Sequence, residues 1–157
     1  MNPDPTDTEA VERVDAVAAA PDVYQAMAAF QQAAEKELPP LLAELVSTRV
    51  SQINGCAFCV DLHTRAARKA GESEQRLHVL PAWRESAVFT PAERAALALC
   101  EALTLLPDTG VPDAVYAEAA AWFDETSLTH LLWTAAAANA WNRIGVATGM
   151  GRRTSSP

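Results

Sequence analysis

Leu42, Leu45, Val46, Val50 and Ile53 recur at three- and four-residue intervals, the spacing of one buried face of an α-helix. The period returns in Leu128, Leu131, Leu132, Ala135, Ala138 and Trp141. Alanine is abundant and β-branched runs are short. No Asn-Gly or Asp-Gly turn stands between alternating strands. Segments of this kind are stable only when their apolar stripes pack on one another, so the pattern predicts an all-α helical bundle. With 157 residues, half of them hydrophobic, the chain is long enough for a single domain with its own core.

Start and stop signals divide the bundle. A first helix is expected over about 9–20 and a second, opened by Pro21-Asp22, over about 22–36. A third runs from about Pro39 to Ile53 and ends at Asn54-Gly55, where glycine supplies a left-handed residue. A fourth covers Cys56 to Ala70 and stops at Gly71. Ser73 caps a short fifth through Leu80. Thr90-Pro91-Ala92-Glu93 reads as a capping box with proline at the first helical position, opening a helix to about Leu106. Residues 107–112 read as a loop. The last two helices are expected over about 113–123 and 127–146. Residues 1–8 and 151–157 read as flexible ends flanking a domain over 9–150.

Charge and composition narrow the function. The net charge is −8, which lacks the basic footprint of nucleic-acid binding. No apolar run approaches the ~20 residues that span a membrane, and the acidic N-terminus has no secretory h-region. Three cysteines without a leader do not make a disulfide framework. The expectation is a cytoplasmic protein whose disulfide chemistry is transient and catalytic.

Cys56, Cys59 and His63 form C-x-x-C-x-x-x-H, and Glu44 stands twelve residues before Cys56. A C-x-x-C pair in a cysteine-poor chain is a redox or metal device. In the first turn of a helix the two Cα atoms lie roughly 5 Å apart, within the span of a disulfide. His63 follows Cys59 by one turn, at about 6 Å, and helical side chains lean toward the N-terminus. Its imidazole therefore reaches back to the Cys59 sulfur. The helix N-terminus favours a thiolate at Cys56, whereas the histidine favours one at Cys59. Spacing leaves both open.

A structural zinc site is the main rival for these residues. It would need Glu44 or Asp61 as a fourth ligand and would draw three ligands from one helix, against the habit of such sites. Inert buried cysteines are a second rival, and Glu44 by itself reads as a surface carboxylate. His78 and His130 read as ordinary histidines and Cys100, within an apolar run, as a small buried hydrophobe. Trp83, Trp122, Trp133 and Trp141 read as core or subunit contacts.

The spacing Glu44, eleven residues, then Cys56, Cys59 and His63 resembles that of the alkylhydroperoxidase D (AhpD)-like members of the carboxymuconolactone decarboxylase family. Residues 49–77, 82–86, 93–97 and 139–143 are also similar to this group. The resemblance covers about residues 20–150. It implies an AhpD-like all-helical fold assembled as a homo-oligomer, a trimer or hexamer. It also implies a thiol-dependent peroxidase that reduces hydroperoxides, with Cys59 as peroxidatic and Cys56 as resolving cysteine. His63 and Glu44 would form the proton relay. No metal or cofactor is expected, and the reductant would be a dithiol of lipoyl or thioredoxin type. The best-studied AhpD members carry a histidine between the cysteines, where this chain has Ala57-Phe58. The family's decarboxylases generally lack the cysteine pair, which argues against that activity. A redox sensor or disulfide adaptor with little turnover shares the same residues.

Overall fold

Proline opens three of the long helices, at Pro21, Pro40 and Pro91. Its fixed φ suits the first helical turn, where an N–H has no partner to lose. The computed structural model describes residues 11–152. The expected flexible end at 1–8 lies outside them, and so does most of that at 151–157. Within the described residues there is no strand. The helices are α1 (Ala16–Ala19), α2 (Pro21–Glu35), α3 (Pro40–Asn54), α4 (Ala57–Lys69), α5 (Glu74–Val79), α6 (Pro91–Thr104), α7 (Leu106–Thr109), α8 (Asp113–Trp122) and α9 (Glu125–Ala147). Turns of 3-10 helix cover Leu80–Glu85 and Met150–Arg152.

Side-chain caps set several boundaries. Thr90 and Glu93 form the reciprocal capping box of α6. Ser73 accepts from the Arg76 N–H at the start of α5, and Asp124 accepts from the Ser127 N–H at the start of α9. Gly55 ends α3 in the left-handed region, at φ 68°.

Three segments differ from expectation. Residues 11–15 are not helical, and α1 is a single turn. The Asp15 carboxylate accepts from the N–H groups of Val17 and Ala18, both at 3.0 Å, so the helix begins there. Residues 107–109, read as the start of a loop, belong with Leu106 to the short helix α7. The Leu80–Glu85 turn has no capping or periodicity signal in the sequence; a tertiary anchor, the packing of Trp83, holds it in place.

α3 lies at the centre. Leu42, Ala43, Val46 and Val50 meet Ala96, Leu99 and Cys100 of α6 and Leu131, Ala135 and Ala138 of α9 in the main core. Leu45 joins Leu80, Trp83, Phe89 and Leu97 in a smaller one. The apolar stripe expected on α9 is buried at Leu128, Leu131, Ala135 and Ala138, and half-buried at Leu132 and Trp141.

A buried carboxylate ties α3, α6 and the 3-10 turn together. Glu101 accepts from Arg49 Nε at 2.7 Å, from Trp83 Nε1 at 2.8 Å and from Arg84. The Arg84 guanidinium stacks on the Trp83 ring. Burial by itself raises the Glu101 carboxyl, but the hydrogen bonds from Trp83, Arg49 and Arg84 outweigh it and hold the group below its usual range.

Glu101→Leu strands the Arg49 charge in the interior and should cost about 3 kcal/mol or more, read as a lower urea midpoint. The wild-type carboxyl is depressed in the folded state, so its contribution is complete above the unfolded value of about 4.3 and fades as pH falls through the lower folded value. The stability gap between wild type and variant should narrow only in that acid range.

Candidate active site

The site is built on a helical hairpin. α3 and α4 are joined by Gly55 and Cys56, and the left-handed Gly55 returns the chain so that the two helices pack along one another. Its N–H meets Gln52 O, and the Cys56 N–H meets Ser51 O at 3.1 Å. Gly55 has open space around it, so its φ, not crowding, calls for glycine. The Asn54 amide bridges the Asn139 and Asn142 side-chain oxygens at 3.0 and 2.9 Å. Asn142 in turn donates to Ser51 Oγ at 2.9 Å. This amide chain, part-buried at Asn54 and buried at Asn142, docks the hairpin turn on α9.

Cys56 is the N-cap of α4, and its sulfur accepts from the Cys59 N–H at 3.3 Å. The two cysteines are joined as a disulfide, with Cα atoms 5.3 Å apart. Both are buried, at 2% and 4% exposure. Cys100 is a free thiol in the main core. Burial, reinforced by the neighbouring Glu101 charge, pushes its pKa far up, which leaves it inert.

Across the hairpin, His63 Nδ1 lies 2.9 Å from Glu44 Oε2. The two residues are nineteen positions apart, and their side chains are 12% and 21% exposed. An imidazole whose Nδ1–H donates to a carboxylate presents its Nε2 lone pair to whatever lies beyond. Among the described residues no hydrogen bond joins His63 to Cys59 while the cysteines are joined to each other.

Three neighbours had no signature in the sequence. Glu35 of α2 is raised above its ordinary range, first by burial and further by the Glu44 charge, against the hydrogen bond from Gln31 and the pull of His63. It places a second carboxylate near the Glu44–His63 pair. Gly145 of α9 faces the disulfide: a Cβ there would stand 3.0 Å from Cys56 Sγ and 3.5 Å from Cys59 Sγ. Met150 adjoins the same point. The remaining histidines serve elsewhere. His130 Nδ1 lies 2.8 Å from Ala34 O, and His78 is exposed beside Glu74. Asp61 is exposed and pairs with Arg65.

Gly145→Ala should strain the closest packing of the site, because the new methyl must displace a sulfur. A loss of about 1–3 kcal/mol is expected, measured as a lower urea midpoint of the oxidised protein. Under mild oxidant, peptide mapping should find the Cys56–Cys59 disulfide with Cys100 still a thiol. Cys100 in the principal disulfide would overturn that assignment.

The geometry has close relatives. The family model described as "Carboxymuconolactone decarboxylase family" matches residues 21–102. An uncharacterized protein of Bacillus subtilis, YdfG, is 48% identical over 113 residues, which cover 72% of this chain and 76% of that protein. An uncharacterized protein of Escherichia coli, YnjA, is 41% identical over 95 residues, 60% of this chain and 51% of that protein. A crystal structure of an Agrobacterium tumefaciens protein of unknown function, described as a candidate antioxidant defence protein AhpD, superposes with a TM-score of 0.86 at 34% identity. The match covers 94% of this chain and 100% of that one. By sequence and by fold, this chain belongs to the carboxymuconolactone decarboxylase family and is AhpD-like.

Proposed function

We propose that this protein is a thiol-dependent peroxidase that reduces organic hydroperoxides through a Cys56–Cys59 dithiol/disulfide cycle. The observation that carries the reading is the His63–Glu44 hydrogen bond of 2.9 Å one helical turn beyond Cys59. It supplies a carboxylate-oriented base beside a redox-competent cysteine pair.

In the reduced protein, His63 accepts the Cys59 proton through Nε2, and Glu44 supports the imidazolium. The thiolate attacks the terminal peroxide oxygen. The O–O bond breaks, Cys59 becomes a sulfenic acid, and the relay returns its proton to the departing alkoxide. The Cys56 thiol then attacks the Cys59 sulfur, forms the disulfide and releases water. An external dithiol of lipoyl or thioredoxin type restores both thiols by exchange and is itself oxidised. Ala57-Phe58 between the cysteines leaves His63 as the relay's only histidine within the motif.

The other parts of the reading are a cytoplasmic homo-oligomer, trimer or hexamer. Among the described residues no helix is long and apolar enough to cross a membrane. Exposed Trp122, Trp133 and Val146 offer apolar surface for identical partners. A second reading, a redox sensor with little turnover, draws on the burial of both sulfurs, which slows exchange with external thiols. Peroxide consumption measured with several dithiols separates the two. Sustained turnover supports the enzyme, and a single stoichiometric oxidation supports the sensor.

Cys59→Ser should abolish the reaction with peroxide. Cys56→Ser should react once and trap a sulfenic acid at Cys59, detected by a sulfenic-acid reagent. Trapping at Cys56 in Cys59→Ser would instead show that the helix terminus governs activation. Glu44→Gln should slow the peroxide step at least about tenfold, and adding His63→Gln should change little more, since groups acting as a unit are non-additive. An unchanged rate in Glu44→Gln would remove Glu44 from the relay.

A further inference from the structure

A cavity of about 340 Å³ opens among α1, the first half of α2 and the C-terminal half of α9. Its walls include Val17, Val23, Tyr24, Met27, Trp141 and Met150. Every residue lining it is aliphatic, aromatic or a thioether; the Tyr24 hydroxyl and the Trp141 indole N–H are the side-chain polar groups, and none is charged. Tyr24 and Trp141 meet edge to face at 5.5 Å and form one wall. The volume lies in the range of small-molecule sites, and the cavity is open to solvent at Val23 and Tyr24, which are 58% and 41% exposed.

Met150 connects the cavity to the cysteines. It lines the cavity, and its Sδ comes within 3.8 Å of the point where a Gly145 Cβ would stand. From that point Cys56 Sγ is 3.0 Å and Cys59 Sγ 3.5 Å away. Met150, an unbranched thioether with several rotatable bonds, thus adjoins both the apolar cavity and the packing around the buried disulfide.

We infer that this cavity is the hydrocarbon subsite of the site described above, holding the alkyl part of an organic hydroperoxide while Met150 moves aside to admit the peroxide group to Cys59. The inference rests on the peroxidase reading. The occupant follows from the lining: a cavity with no charged wall favours a hydrocarbon chain, and Met150, shared with the surroundings of the disulfide, is where the polar end of that chain would turn toward the sulfur. The product alcohol carries the same chain and fits the same chamber without reacting. Each methylene taken from water into such a site strengthens binding by roughly a factor of four.

Two measurements test this on the full chain. The first compares kcat/KM for octyl hydroperoxide, ethyl hydroperoxide and hydrogen peroxide in wild type and in two cavity-filling variants, Val17→Trp and Met27→Phe. Wild type should prefer the octyl substrate. Either variant should lose at least about tenfold on it, with hydrogen peroxide unchanged. The second titrates 1-octanol against tryptophan fluorescence, which Trp141 reports from the cavity wall. A saturable change in wild type that weakens in the variants supports the subsite, and using two variants guards against one that fails to fold. Parallel changes on all three peroxides, or undiminished octanol binding in both variants, would overturn it. Binding that appears only after removal of residues 1–10 would assign the cavity to the chain's own N-terminus. Binding that strengthens on dilution would assign it to a second copy. Either result also overturns the subsite. If octanol binds as expected but no peroxide is consumed, the apolar site stands and the peroxidase reading falls.

Discussion

One left-handed residue makes the site. Gly55, at φ 68°, turns the chain between α3 and α4 without a Cβ penalty. The return path lays α4 back along α3, so a carboxylate and an imidazole nineteen positions apart meet at 2.9 Å. The same turn leaves Cys56 at the N-cap of α4, with its sulfur accepting the Cys59 N–H. The cysteine pair and the Glu44–His63 pair are thus set by one hairpin. The amide chain through Asn54, Asn142 and Ser51 then orients that hairpin against α9.

The surroundings of the disulfide are as specific as its residues. Gly145 brings the backbone of α9 close to both sulfurs, and Gly151 brings the C-terminal turn to within about the same distance of Ala57 and Phe58. Close packing of this kind excludes water and lets small changes in volume be felt. It also leaves the cysteines nearly inaccessible in the oxidised state, so chemistry at them requires some movement of the covering residues. The Arg13 guanidinium donates to Ala147 O at 2.6 Å, which fastens the N-terminal segment to the end of α9 beside that cover.

Charge inside the bundle is handled in two contrasting ways. Glu101 is buried yet held ionised, because Trp83, Arg49 and Arg84 donate to it. Glu35 is raised instead, because its burial and the Glu44 charge outweigh the hydrogen bond from Gln31. The first arrangement braces the scaffold around α3. The second places a carboxyl that resists ionisation near a histidine–carboxylate pair.

Much of the helical plan was legible in the chain because local chemistry enforces it. Pro91 with the Thr90–Glu93 box, Ser73 before α5 and Gly55 after α3 satisfy or release backbone groups within a few residues. The apolar periodicity of α3 and α9 likewise marks which faces are buried. Where local signals were weak or absent, tertiary contacts decided: the Trp83 clamp holds the 3-10 turn at Leu80–Glu85. At α1 the deciding contact is local, since the Asp15 cap sets where that helix begins. The spacing of Cys56 and Cys59 already determined that the two could be joined, since one helical turn fixes their separation. It could not determine that Glu44 faces His63, that Gly145 lies against the sulfurs, or that an apolar chamber ends at Met150. Those contacts join residues remote along the chain, and only the packing of α3, α4 and α9 sets the distances between them.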